Sequence, residues 1–123
     1  MPECSSYSTR FVIQRHTRPD DVHLDLMIEK DGALKTWRLN GTVDYIAGNS
    51  QNAQSIFDHE LRFLTYNGPV NKGTGSVTIA DSGVCQITEW NDEHIEGRFE
   101  GKIVNDHFVL RQIDDKEWNI SCD

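Results

Sequence analysis

Residues 22–29, Val22-His23-Leu24-Asp25-Leu26-Met27-Ile28-Glu29, alternate strictly. Val22, Leu24, Leu26 and Ile28 fall on one side, and His23, Asp25, Met27 and Glu29 on the other. A period of two marks a half-buried strand. The first set is therefore expected to enter a core and the second to face solvent. His16 closes the preceding apolar run, Phe11-Val12-Ile13-Gln14-Arg15, and returns to the same surface through a loop over residues 17–21. Two imidazoles and one carboxylate converging on one patch make a candidate divalent-metal site. The plain alternative is an exposed strand face bearing ordinary polar residues.

Working outward, the pattern stays that of short strands. Asp31-Gly32 suits a type I′ turn, which needs positive φ, and residues 33–39 form its return strand. Residues 40–55 hold Val43-Asp44-Tyr45-Ile46 and then a polar stretch that reads as a long loop or helical turn. Residues 55–66 fit a strand, with Phe57, His59, Leu61 and Phe63 on one side, and also a short helix; aromatics dominate and no cap is evident, so they read as a strand. Gly68-Pro69 and Gly73-Thr74-Gly75 bracket a loop. Residues 76–80 and 84–90 form a hairpin around Asp81-Ser82-Gly83. Residues 94–100 and 107–113 pair across Asn105-Asp106, and residues 117–120 make a last strand. The fold class is all-β, a compact single-domain β-barrel of about eight antiparallel strands. Residues 1–9 are expected to be a flexible tail and residues 10–123 the domain.

The chain has 123 residues, eleven aromatics and a formal net charge of −8. That length suffices for a core without disulfides, and the charge disfavours generic attraction to nucleic acid or anionic membrane. Cys4, Cys85 and Cys122 form no CxxC pair. An odd count without a framework reads as a reduced protein, and a Cys4–Cys122 bridge would require the termini to meet. The first residues do not form a signal peptide, and no apolar run approaches a membrane span. The expected setting is cytoplasmic, without membrane contact and as a monomer.

Phe11-Val12-Ile13-Gln14-x-His16, then His23-x-Asp25-x-x-x-Glu29-x-Asp31-Gly32-x-Leu34-Lys35-x-Trp37, resembles the 3′-phosphoesterase domain of bacterial ligase D proteins, which act in non-homologous end joining. Asp58-His59 resembles that family's Asp-His. Residues 68–75 are similar to a shortened form of its Gly-rich loop, and Gly101 through Arg111 with Trp118 to its closing hairpin. The resemblance runs from Arg10 to Ile120 and implies a stand-alone, divergent member that trims 3′ ends of DNA or RNA with manganese. It implies removal of a terminal ribonucleotide and then a 3′-phosphate. His16, His23 and Asp25 carry over as metal ligands and His59 as the phosphate-contacting histidine, these four being the candidate catalytic set. Two His and one carboxylate also suit zinc or iron. The substrate is a DNA or RNA 3′ end or a small phosphorylated nucleotide, with other end-joining proteins as partners.

Met27 stands where the family has an arginine, Phe63 where it has a tyrosine, and His16 and His23 are one residue further apart than is usual there. A thioether in place of a guanidinium removes a bidentate phosphate clamp. Arg15, Arg18 and Arg62 are the candidates to replace it, with Arg15 assigned to substrate binding. A catalytically degenerate member, kept as a metal- or partner-binding module, is the second reading. A barrel enclosing a small apolar ligand is the third. Gln14 and Glu29 each either orient a ligand imidazole or are simply solvated. His94 and His107 read as surface residues. Trp37, Trp90 and Trp118 read as core or rim.

Overall fold

The alternation at residue 25 belongs to a closed sheet. The computed structural model describes residues 6–40 and 50–122. Its strands are β1 (Tyr7–Arg18), β2 (Asp21–Lys30), β3 (Ala33–Leu39), β4 (Gln51–His59), β5 (Gly68–Val70), β6 (Gly75–Trp90), β7 (His94–Glu100), β8 (Asn105–Gln112) and β9 (Glu117–Cys122). The order β1-β2-β3-β4-β9-β8-β7-β6 is antiparallel throughout, and β6 pairs back onto β1. Eight strands thus close a barrel, and β5 is an extra strand on β6. Asp31 (φ 54°) and Gly32 (φ 85°) supply the positive φ values of the β2–β3 turn.

The interior is filled. Phe11, Ile13, Leu26, Phe99, Phe108 and Leu110 are among its buried side chains, and Phe99 meets Phe11 and Phe108 edge-on at 5.1 and 5.7 Å. The space left among Ile13, Leu26, Phe99 and their neighbours is about 10 Å³, room for no more than a single water. Among the described residues, this part of the interior therefore has no room for an apolar ligand. Trp37 and Trp118 lie in this core and Trp90 packs against it, as expected of core and rim residues.

The outer face of β1 and β2 departs from expectation. It is covered, not solvated. Val12, Met27, Leu34 and Leu64 form a second buried cluster, against which Leu61, Phe63 and Ile79 pack. The cover is a 3-10 helix, Leu61–Leu64, where residues 55–66 read as one strand; the strand stops at His59. Asp25 is 4 % and Met27 1 % exposed, while Val22, assigned to the core, is 60 % exposed at the strand's end. Both faces of β2 are thus buried, which the alternation of residue types did not convey.

Other boundaries differ too, beginning with Gly68–Val70, which pair with β6 where a loop is expected. Tyr7–Thr9 pair with Ile87–Cys85 of β6, so the first strand claims part of the expected tail. Residues 51–54, read as polar loop, belong to β4 because β9 supplies their pairing through Ile120–Glu117. The turn between β7 and β8 lies over residues 101–104, not at Asn105-Asp106. Finally, the hairpin expected at residues 81–83 is absent: β6 runs through it for 16 residues. A bulge causes this. β1 pairs Ile13 with Asp81 but Gln14 with Ile79, so one extra residue enters β6. Its phase then flips: Ile79 packs on the outer cluster, whereas Cys85 and Ile87 enter the main core. A bulge of this kind erases the period-two signal. The Val43–Ile46 reading and Cys4 lie outside the described residues, as does the rest of the segment 41–49.

Candidate metal centre

His16 and His23 are Cα partners across the β1–β2 ladder. The sheet register itself, not a returning loop, brings the two imidazoles together, with ring centroids 4.9 Å apart. Asp25 lies two residues beyond His23 on the same face, its Oδ2 3.4 Å from His23 Nε2. One donor atom from each of the three residues lies within 4.8 Å of the others.

These donors are prepared but unspent. His16 Nε2, His23 Nε2 and Asp25 Oδ1 are buried and have no hydrogen-bond partner. Buried polar atoms are rarely left so, and three residues whose donor atoms cluster within 4.8 Å fit a divalent cation, whose coordination would satisfy such atoms. Gly75 contributes space: a Cβ there would stand 3.2 Å from His16 Nε2. Asp21 orients His23, its Oδ2 2.8 Å from Nδ1. An ionised carboxylate only accepts, so Nδ1 carries the proton and Nε2 keeps its lone pair. That hydrogen bond is the main reason the Asp21 carboxyl sits below its ordinary range.

Burial governs the rest of the electrostatics. It pushes the His16 pKa down, with His23 adding to the effect. It pushes the Asp25 pKa up against the pull of His23 and Arg38. A neutral imidazole and a carboxylate that lacks a cationic contact of hydrogen-bond quality are the states a metal recruits. By contrast, Glu89, His94 and Glu96 also bring donor atoms together, on the outer face of β6 and β7. There the groups satisfy one another: His94 Nε2 is 3.1 Å from Glu96 Oε1, and His107 Nε2 is 3.2 Å from Oε2.

His16 and Asp25 line a cavity of about 640 Å³ together with Arg18, Arg38, His59, Glu60, Arg62 and Lys72, while His23 lies outside its lining. In a chain of net charge −8, the lining carries four cations against the carboxylates of Asp25 and Glu60. With Arg62 paired to Glu60 at 3.0 Å, Arg18, Arg38 and Lys72 remain as a local positive excess that suits an anion. His59, at the end of β4, faces Thr36 Oγ1 through Nδ1 at 2.9 Å. The single hydroxyl proton of Thr36 goes to the Leu34 carbonyl at 3.0 Å. Thr36 therefore accepts from His59, and Nδ1 carries a proton. Burial lowers the His59 pKa, partly offset by Asp25 and the Phe57 carbonyl, so the ring is neutral in most molecules near pH 7.

Several sequence expectations are relocated. Arg15 shares the face of Phe11 and Ile13, opposite His16; it is exposed and does not line the cavity. Arg38 was missed. It is the Cα partner of Asp25 across β2–β3, and its Nε lies 3.9 Å from Asp25 Oδ1. Cross-strand register, invisible in the sequence, puts it there. Glu29 is taken by Arg10 in a bidentate pair at 2.8 and 2.9 Å, so it does not support the metal ligands. Gln14 is buried and donates to the carbonyls of Phe63 and Tyr66 at 2.9 and 3.2 Å. It ties down the 3-10 segment that roofs the outer cluster.

Gln14→Leu would leave those two carbonyls without their donor, at about 1–3 kcal/mol. Trypsin should then cut after Arg62 faster than in the parent, read by timed digestion and peptide mass. Unchanged cleavage would show that Gln14 does not hold this segment.

The family model of the DNA Ligase D 3'-phosphoesterase domain matches residues 14–112. The multifunctional non-homologous end joining protein LigD of Mycobacterium bovis is 32% identical over 108 residues, which cover 79% of this chain and 13% of that protein. The corresponding protein of Mycolicibacterium smegmatis is 27% identical over 123 residues, covering 89% of this chain and 16% of that protein. The chain thus spans less than a fifth of the length of these relatives.

Proposed function

The chain belongs to the DNA ligase D 3'-phosphoesterase domain family, and from that premise we propose that it is a manganese-dependent phosphoesterase that removes a 3′-phosphate or 3′-ribonucleotide from DNA or RNA ends. The observation that carries this reading is the set of unpartnered donors of His16, His23 and Asp25, of which His16 and Asp25 line a cavity shared with Arg18, Arg38 and Lys72. His16, His23 and Asp25 hold the metal. When bound, a dication polarises a phosphoryl oxygen and offsets the charge of an in-line displacement.

The chain's own residues do the remainder. Arg38 presents its guanidinium beside Asp25 and takes the phosphate contact that an arginine at position 27 would make. Arg18 lines the same cavity and adds a second cation. His59, neutral and with Nδ1 fixed by Thr36, is positioned to exchange a proton with the attacking or leaving oxygen. Asp21 keeps His23 in the ligating tautomer. Asp21→Asn should therefore weaken Mn²⁺ binding about 10- to 100-fold, measured by titration calorimetry. Parental affinity would remove Asp21 from this role.

A second reading rests on Met27. It packs with Val12, Leu34 and Leu64, so the position serves the cover, not phosphate, and the barrel would bind metal and end-joining partners without hydrolysis. One experiment decides. A tailed duplex with a 3′-phosphate or a 3′-terminal ribonucleotide is incubated with protein and Mn²⁺, then with chelator. Trimming that stops with chelator supports the enzyme. Mn²⁺ binding without trimming supports the module. No Mn²⁺ binding overturns both.

A further inference from the structure

Phe57 is the most exposed large apolar side chain among the described residues, at 75 %. Its exposure has a structural cause. β3 pairs Thr36 with Ile56 but Leu34 with His59, so one extra residue enters β4 at Phe57-Asp58. A bulge re-aims side chains and is common beside functional sites. Asp58 is anchored by Lys35 at 3.0 Å, and the Phe57 ring lies against His59, with centroids 4.8 Å apart and planes at 21°. One face of the ring is thus used by the cavity histidine, at the rim of the 640 Å³ cavity it helps to line.

From this we infer that Phe57 is a stacking platform for the base of the terminal nucleotide, deepening the reading of the cavity as a 3′-end site, on which it rests. The same mouth carries two complementary features. The cations Arg18, Arg38 and Lys72 call for an anion, and Phe57 calls for a flat apolar face. An apolar partner without charge leaves the cations unused, and inorganic phosphate leaves Phe57 bare. A nucleotide offers a phosphate and a π-face one sugar apart. Arg62, 4.5 Å over Phe63 and 5.2 Å over Tyr66, stiffens the neighbouring wall through cation–π contact. Stacking accepts any base, so the platform selects for a base at the terminus without selecting its identity.

The test compares two tailed duplexes with 3′-phosphate ends, identical except that the terminal nucleotide carries thymine or is abasic. Binding is measured by fluorescence anisotropy in chelator, so that turnover does not enter. The parent should prefer the base-bearing end about tenfold. In Phe57→Ala that ratio should fall to near one, and in Phe57→Trp it should persist. A parent ratio near one, or a tenfold ratio retained in Phe57→Ala, overturns the platform. Displacement of His59 by the substitution would weaken both ends together and leave the ratio standing, which counts against the inference. Phosphate release with Mn²⁺ is scored separately. A collapsed ratio without release removes the phosphoesterase reading alone; release with a flat ratio removes the platform alone.

Discussion

His23→Ala is expected to lower Mn²⁺ affinity by about a hundredfold or more and to take end trimming down with it. The size follows from three roles lost together. His23 supplies the central donor, 3.4 Å from Asp25 Oδ2, it packs edge-on against His16, and it links the site to the orienting Asp21. Its removal leaves Asp25 buried beside Arg38 at 3.9 Å without hydrogen-bond contact. The raised Asp25 pKa should then rise further, because the favourable charge of His23 is one of the effects that hold it down. Asp21→Asn leaves the His23 donor in place, whereas His23→Ala removes it, so the loss should exceed that of Asp21→Asn. Calorimetry with Mn²⁺ and the end-trimming assay check this side by side, with circular dichroism to confirm the fold. A folded variant with parental affinity and rate would return the triad to the role of ordinary polar residues.

Asp81→Ala should produce the largest loss of stability, about 3–5 kcal/mol. Asp81 is 4 % exposed. Its Oδ1 accepts from the amides of Ser82 and Lys102 at 2.9 and 2.8 Å, and its Oδ2 from those of Ile103 and Val104 at 3.1 and 2.7 Å. One carboxylate beside the bulge of β6 thereby satisfies three amides of the turn between β7 and β8, whose fourth, that of Gly101, donates to the Val104 carbonyl at 2.7 Å. Gly101 makes the approach possible, since a Cβ there would stand 2.5 Å from Oδ2. Asp81→Asn should rescue little, because its NH₂ group would face two amide donors where an acceptor is needed. Thermal melts should show Tm lowered by about 10 °C or more for both variants. Tm values within about 2 °C of the parent would show that water replaces the carboxylate at little cost.

How legible these features were depends on how local their causes are. The Asp31-Gly32 turn and the strand on each side could be read residue by residue, since a positive φ at a turn and a period of two are properties of adjacent residues. His16, His23, Asp25 and His59 were identifiable as candidates through their spacing and the family resemblance; the first three cluster their donor atoms, and His16, Asp25 and His59 line one cavity. Arg38 was not, because its tie to Asp25 is a cross-strand pairing. Arg15 was misplaced for a related reason: adjacent residues on a strand face opposite ways, and nothing local says which way the cavity lies. The 3-10 cover was taken for strand because Phe57, His59, Leu61 and Phe63 fit a period of two, while the hydrogen bonds from Gln14 that fix the true path come from β1.

The sequence by itself determined an antiparallel all-β chain, the hairpin at residues 31–32 and the residue types of the site, because these follow from short-range sterics and side-chain periodicity. Only the tertiary structure decided that β6 passes through Asp81 without turning, that Met27 is buried under a cover, that Arg38 meets Asp25 and that Phe57 stands out beside His59. Each of those depends on register between strands distant in sequence. Register is set by closing the barrel and by where its bulges fall, and a single inserted residue there reverses every side chain that follows.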